Sequence, residues 1–115
     1  MQGMSAPETL GVFEEMVLLA ILHLGPDAYG TTIRREIDAR TGRTIAVGAL
    51  YTALDRLERK GLIASEMSDP TPERGGRSKR YVRLLPAGRA ALRHSRDLMD
   101  RMWRGLDASL RRTRP

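Results

Sequence analysis

Between Val47 and Ile63 the chain reads Val-Gly-Ala-Leu-Tyr-Thr-Ala-Leu-Asp-Arg-Leu-Glu-Arg-Lys-Gly-Leu-Ile, and few folds can use both faces of that stretch. Leu50, Leu54 and Leu57 recur at four- and three-residue spacing, so together with Val47 they line one side of a helix. With that stripe turned inward, Gly48, Ala49, Thr52, Asp55, Arg56 and Arg59 face the other way. Gly61 suits the left-handed position that ends a helix. A helix meant only for solvent carries long charged residues along its outer face, whereas this one opens on residues with almost no side chain. Small residues followed by Thr52 and Arg56 allow close approach of a second surface, with two groups to hydrogen-bond it. A recognition helix in the major groove of DNA needs that arrangement. An ordinary amphipathic core helix is the competing reading, and this stretch alone leaves both open.

The charge distribution favours a polyanionic partner. Residues 1–42 hold three Arg against six acids, a net −3, and residues 43–115 hold seventeen Lys+Arg against eight acids, a net +9. The 115-residue chain is therefore +6 overall, with a sequence pI near 10.7. Nucleic acid is the commonest partner of such a basic segment. Eighteen of the twenty cations are Arg, the better fork for phosphate and guanine, though a GC-rich genome produces the same bias. The length suits one domain with a modest core, small enough for dimerisation to add stability. Without cysteine, disulfides and cysteine-ligated zinc are excluded, and a cytoplasmic location is expected. Met16–Leu22 is a run of seven apolar residues, far short of the roughly 20 that cross a bilayer. The N-terminus lacks the basic region and cleavage site of a signal peptide, so no membrane association is expected.

Taken in order, residues 1–9 are polar with Pro7 and read as a flexible arm. A first helix is expected over Leu10–Leu24, with Thr9 as N-cap, Glu14 and Glu15 at its positive end, and Gly25-Pro26 as its stop. From Met16 to Leu22 it is apolar on every side, which requires cover on more than one face. A turn over 25–28 leads to a second helix, Tyr29 to Thr41, with Ile33 and Ile37 inward and Gly42 at its end. Four residues then reach the third helix, and this tight connection is the helix-turn-helix pattern. Ile63–Ser68 and Lys79–Leu85 read as strands, the second favoured by Tyr81, Val82 and Leu84. Asp69–Ser78 between them holds two Pro and two Gly and reads as a loop. Its basic tip carries Arg74, Arg77, Lys79 and Arg80. Most such loops are solvated surface, yet straight after a candidate recognition helix it reads as a wing laid on the phosphate backbone.

Pro86 then opens a last helix of about 25 residues, about 37 Å long, expected to run unbroken to Leu110. Leu92, Met99, Met102, Trp103, Leu106 and Leu110 form its apolar stripe. Its distal half outreaches so small a domain, so a second subunit is expected to cover it, together with Met16 and Leu19 of the first helix. The fold class is mainly α with a small β-hairpin. It comprises a winged helix-turn-helix domain over 10–85, a dimerisation helix over 86–110 and a disordered tail over 111–115.

These motifs are similar to those of a known family. Leu10-Gly-Val-Phe-Glu-Glu-Met-Val-Leu-Leu-Ala20, Tyr29-Gly30, Gly48-Ala-Leu-Tyr51, Leu54-Asp-Arg-Leu-Glu58, Gly61-Leu-Ile63, Gly76-Arg-Ser-Lys-Arg-Tyr81 and Ala87-Gly88 run in family order. The chain resembles a short member of the PadR family of winged-helix transcriptional regulators. The resemblance implies a homodimer whose third helix enters the major groove of double-stranded DNA at a dyad-symmetric operator. It also implies that the wing meets the backbone and the last helix pairs subunits. Family members mostly repress, and some lose DNA affinity on binding a small molecule. The expected DNA contacts are Val47, Gly48, Ala49, Tyr51, Thr52 and Arg56 on the third helix, and Arg74, Arg77, Lys79 and Arg80 on the wing. Tyr51 falls on a family tyrosine whose hydroxyl reaches a phosphate, with a half-buried packing ring as the alternative. Gly48 falls on the glycine that opens the recognition helix. Two positions depart from the pattern. Ala46 stands where a capping Ser is usual, so the third helix starts less firmly unless Thr44 substitutes, and Leu85 replaces a usual Thr.

Catalysis would need convergent acid/base or metal groups, yet His23 and His94 lie in different helices with no paired ligand spacing. No catalytic residue, metal or cofactor is expected. The remaining alternatives are a winged-helix module that binds protein and a nucleoid-type protein that binds DNA without sequence preference. Asp55 and Glu58 moderate the charge of the third helix, and a purely non-specific binder would gain by lacking them. That favours sequence reading. Trp103, Met99, Met102 and Met16 offer an adaptable apolar surface at the expected dimer interface, which also suits a small apolar effector. Simple interface packing is the plainer account of them.

Overall fold

A computed structural model of the chain describes residues 9–68 and 78–111. The expected arm before residue 9, the wing tip with Arg74 and Arg77, and the tail beyond Arg111 lie outside the described residues. The elements in chain order are α1 (Val12–Leu24), a 3-10 turn (Gly25–Asp27), α2 (Gly30–Thr41), α3 (Val47–Arg59), β1 (Ile63–Met67), β2 (Arg80–Leu84), α4 (Pro86–Trp103) and α5 (Asp107–Arg111).

The apolar spacings build the core. Val17, Leu18 and Ile21 of α1 meet Ile33 and Ile37 of α2, the Leu50, Leu54 and Leu57 stripe of α3, Ile63, Val82 and the Ala91-Leu92 pair of α4. Leu18, Ile33, Leu50, Leu54 and Leu57 are wholly buried, each contributing about 1.5–3 kcal/mol by burial. Val47, grouped by spacing with the inward stripe, is instead half exposed at the start of α3.

The first helix starts two residues later than expected, and Gly11 rather than Thr9 occupies its N-cap. Glu14 causes this: its Oε1 accepts the Gly11 N–H at 3.2 Å, while Lys60 Nζ, at the end of α3, donates to Oε2 at 3.1 Å. The carboxylate is buried between α1 and α3 and fixes the first turn. At the second helix Tyr29 is the N-cap, and its N–H donates to Thr32 Oγ1 at 3.0 Å. Gly42 closes α2 in the left-handed conformation. Arg34 Nε then donates to the Ile45 carbonyl at 2.8 Å, pinning the turn that sets α3 against α2. Ala46 caps α3 without any side-chain hydrogen bond, so Thr44 does not replace the missing Ser.

β1 and β2 pair antiparallel, with Ile63 opposite Leu84 and Met67 opposite Arg80. A bridge between Tyr29 and Tyr81, with the Val82 N–H donating to the Ala28 carbonyl at 3.0 Å, stitches β2 to the start of α2. The Leu85 N–H donates to the Leu62 carbonyl at 3.0 Å. A Cβ on Gly88 would come within 2.3 Å of that carbonyl oxygen, so only glycine lets α4 lie this close to the strand entry.

The expected unbroken helix over 86–110 is two helices. α4 ends at Trp103, Arg104 turns extended, Gly105 takes φ +84, and α5 restarts at Asp107. Glycine reaches that left-handed conformation without a Cβ clash and costs up to about 1 kcal/mol inside a helix, so the break falls there. Arg111, expected in the tail, belongs to α5.

Candidate nucleic-acid interface

The α3 core stripe holds the opposite face of the helix outward. Val47, Gly48, Ala49, Tyr51, Thr52 and Arg56 are all exposed, on one continuous surface of α3. A Cβ on Gly48 would meet nothing within 4 Å, so nothing in the described part of the chain requires glycine at that position. The Tyr51 ring lies back across the start of α2, where a Cβ on Gly30 would come within 2.5 Å of its hydroxyl oxygen. Tyr51 stays partly exposed, at 38%.

The wing root adds two cations with different surroundings. Lys79 Nζ sits 4.4 Å from the centre of the Tyr29 ring, a cation–π contact, and 3.4 Å from the Tyr29 hydroxyl. Tyr29 in turn packs edge-on against Tyr81, with ring centres 5.2 Å apart. Arg80 points to the other side of the strand and is bound: Nη1 donates to Asp55 Oδ1 at 3.0 Å and Nη2 to Glu58 Oε1 at 2.7 Å. Ser65 Oγ donates to the same Glu58 oxygen at 2.7 Å. The Ser65 hydroxyl and then the Arg80 guanidinium hold the Glu58 carboxyl below its ordinary pKa, against opposing pushes from desolvation and then from Asp55. Asp55 and Glu58, expected only to moderate the charge of α3, are thus its ties to the wing.

The structure therefore brings Tyr51 of α3 and Lys79 of the wing root to the same Tyr29–Gly30 pair, with Arg80 turned onto α3. Tyr29 and Gly30, noted in the sequence only as a motif, are the contact points for Lys79 and Tyr51. Two signals pointed to these ties: the Tyr-Gly pair opening a helix, and two acids three residues apart on one helical face. Of the expected dimer-interface residues, Met16 is partly buried against the core, while Leu19, Met99, Met102, Trp103, Leu106 and Leu110 are exposed. Val12 and Leu22 on α1 are exposed as well. Among the described residues no group of acids and histidines is arranged to hold a metal ion, and no helix is long and apolar enough to cross a membrane.

Residues 18–94 match the family described as Transcriptional regulator PadR-like family. Transcriptional regulator Rv3488 of Mycobacterium tuberculosis (strain ATCC 25618 / H37Rv) is 38% identical over 90 residues, 76% of this chain and 79% of its own length. A PadR family transcription regulator from hypervirulent Clostridium difficile R20291 is similar in structure with a TM-score of 0.71 at 24% identity, over 87% of this chain and 99% of that one. F93 from STIV, a winged-helix DNA-binding protein, has a TM-score of 0.65 at 17% identity, over 85% and 98%. At these identities both likenesses speak to the fold, which is winged-helix. The matching family and the M. tuberculosis relative are transcriptional regulators and not enzymes. The family's match covers most of the chain and the M. tuberculosis relative is 38% identical over three quarters of it; the chain belongs to the PadR-like family of transcriptional regulators.

Proposed function

We propose that the protein binds double-stranded DNA as a homodimer in the cytoplasm, reads a dyad-symmetric operator with α3, and represses the gene it covers. Gly48 carries this reading. Glycine within a helix costs up to about 1 kcal/mol relative to alanine, and no described neighbour here needs the missing Cβ. A surface from outside that approaches the backbone closely gives it a reason. Ala49, Thr52 and Arg56 beside it supply a small contact, a hydroxyl and a guanidinium for base edges. Tyr51, Lys79, Arg74 and Arg77 are proposed to hold the phosphate backbone. Because Arg80 offsets part of the charge of Asp55 and Glu58, those acids weigh less against a non-specific binder, and sequence reading rests on the α3 face itself.

The dimer reading rests on uncovered apolar surface: Val12 and Leu19 on α1, and Met99, Met102 and Trp103 on α4. Monomeric proteins rarely leave such patches open. A small apolar effector that releases the operator would enter among Trp103, Met99 and Met102. The test is selection of bound duplexes from a random-sequence pool. A dyad site with half-sites about 10 bp apart is expected. Uniform recovery of all sequences would mean a nucleoid-type binder, and no enrichment a protein-interaction module. Placing the selected site before a reporter gene then distinguishes repression from activation.

A further inference from the structure

We propose that Arg80 is a positioning residue: it sets the wing against the recognition helix and offsets part of the charge of the two carboxylates on the outer face of α3. The inference rests on the DNA-binding reading above and assigns Arg80 a different role from the wing's phosphate contacts.

Three observations carry it. Arg80 opens β2, yet its two terminal nitrogens bridge Asp55 and Glu58, which lie on one face of α3. Ser65 from β1 donates to the same Glu58 oxygen, so both strands at the wing root are tied to α3 through one carboxylate. Second, exposure is reversed from that of a phosphate contact. The Arg80 side chain is only 19% exposed, while those of Asp55 and Glu58 are 59% and 42% exposed. The cation is covered and its acids face outward. Third, strand alternation separates the neighbouring cations. Lys79 and Tyr81 lean on Tyr29, and Arg80 between them is turned to the opposite side, onto α3.

The physical consequence has two parts. A two-stranded hairpin is marginal by itself, so its direction is set where it is anchored. The Tyr29–Tyr81 bridge and the Val82–Ala28 hydrogen bond anchor β2 to the start of α2, and Arg80 adds the side-chain anchor to α3. Unneutralised, Asp55 and Glu58 would also place two negative charges beside DNA phosphates, where each interaction with backbone charge enters the salt dependence of binding. One guanidinium ties the wing to α3 and offsets one of these two charges.

The test is a set of fluorescence-anisotropy titrations of the full chain with a selected operator duplex and a scrambled duplex over a salt series. Arg80→Gln is compared in two backgrounds, native and Asp55→Asn/Glu58→Gln. A positioning role predicts at least a tenfold loss of operator affinity in the native background. In the neutralised background the loss is under threefold, and the salt slope matches the unmodified chain. Such coupling appears only when residues act through each other. Equal losses in both backgrounds, each with a slope smaller by about one, would make Arg80 an ordinary phosphate contact and overturn the proposal. Circular dichroism checks folding. If Arg80→Gln does not fold, Arg80→Lys, which can keep one of the two ion pairs, is carried through the same two backgrounds and judged by the same coupling. An unmodified chain that binds neither duplex removes the DNA-binding reading, and this inference with it, before any variant is made.

Discussion

The hydroxyl of Tyr51 occupies the space a side chain on Gly30 would need: a Cβ there would lie 2.5 Å from the oxygen and 3.1 Å from Cζ. The Tyr-Gly pair at the start of α2 is thereby a seat for a residue of α3. Gly30→Ala should push the ring outward. The ring is partly exposed and can move, so the stability cost should stay within the about 1–3 kcal/mol of overpacking. DNA affinity should fall several-fold, as it should for Tyr51→Phe. The double variant should lose no more than the worse single one. Fully additive losses in a titration would mean that the two residues act separately.

Gly48→Ala should separate stability from function. The new Cβ enters open space in the first turn of a helix, so the melting transition should rise by the equivalent of up to about 1 kcal/mol. Operator affinity should drop in the same variant, because the added methyl stands where α3 is proposed to approach the groove. A more stable protein with unchanged operator affinity would remove the argument that Gly48 faces DNA.

Arg56 lies on the exposed face of α3, one turn beyond Thr52. Arg56→Ala should cost about 1–3 kcal/mol of operator binding and relax preference at one base pair, as expected of a guanidinium that reads a base edge. Repeating the random-sequence selection with the variant measures this. Uniform weakening across sequences would reassign Arg56 to the backbone.

Glu14 predicts a pH dependence. Burial pushes its carboxyl up, but the Gly11 N–H and the Lys60 ammonium, with Arg56 adding charge, outweigh it and hold the pKa below the ordinary 4.5. A carboxyl with a depressed folded pKa contributes stability that is fully present above its unfolded value and lost as pH falls through the folded one. Glu14→Gln should therefore cost about 1–3 kcal/mol near neutral pH, and that cost should shrink as pH falls from 4.5 through the lower folded pKa, where the native side chain becomes protonated too. Urea denaturation across the acid range reads this directly. Parallel curves for the two proteins would show that Glu14 is not linked to folding.

Trp103 closes α4 at 45% exposure, with Met99 and Met102 beside it still more open. Truncating a Trp that a second subunit covers costs about 3–5 kcal/mol. Trp103→Ala should raise the dimer dissociation constant at least about a hundredfold, near 2.7 kcal/mol. Operator affinity should fall with it, since two half-sites must be held together. Sedimentation that finds the variant dimeric at nanomolar concentration, with normal DNA binding, would rule Trp103 out as the anchor.

The last helix shows how a local signal can be present and still be overridden in reading. Trp103, Leu106 and Leu110 keep helical spacing across residues 104–106, so the apolar pattern runs through a break that Gly105 marks. Periodicity reports which residues are apolar, not whether the backbone between them stays wound.

What the sequence determined by itself is the set of elements and their order. The Leu50, Leu54 and Leu57 stripe, Gly42 and Gly61 after their helices, and two strands around a Pro- and Gly-rich loop are all signals carried within a few residues. Helical and strand periods and backbone sterics act over that same distance. The tertiary structure alone decided which polar groups meet. Glu14 and Lys60 are 46 residues apart, and Arg80 lies 25 from Asp55 and 22 from Glu58. No spacing pattern links such pairs, because a charge finds its partner through the docking of whole elements. For that reason four basic wing residues looked equivalent in the sequence, and only folding turned Lys79 toward Tyr29 and Arg80 onto the recognition helix.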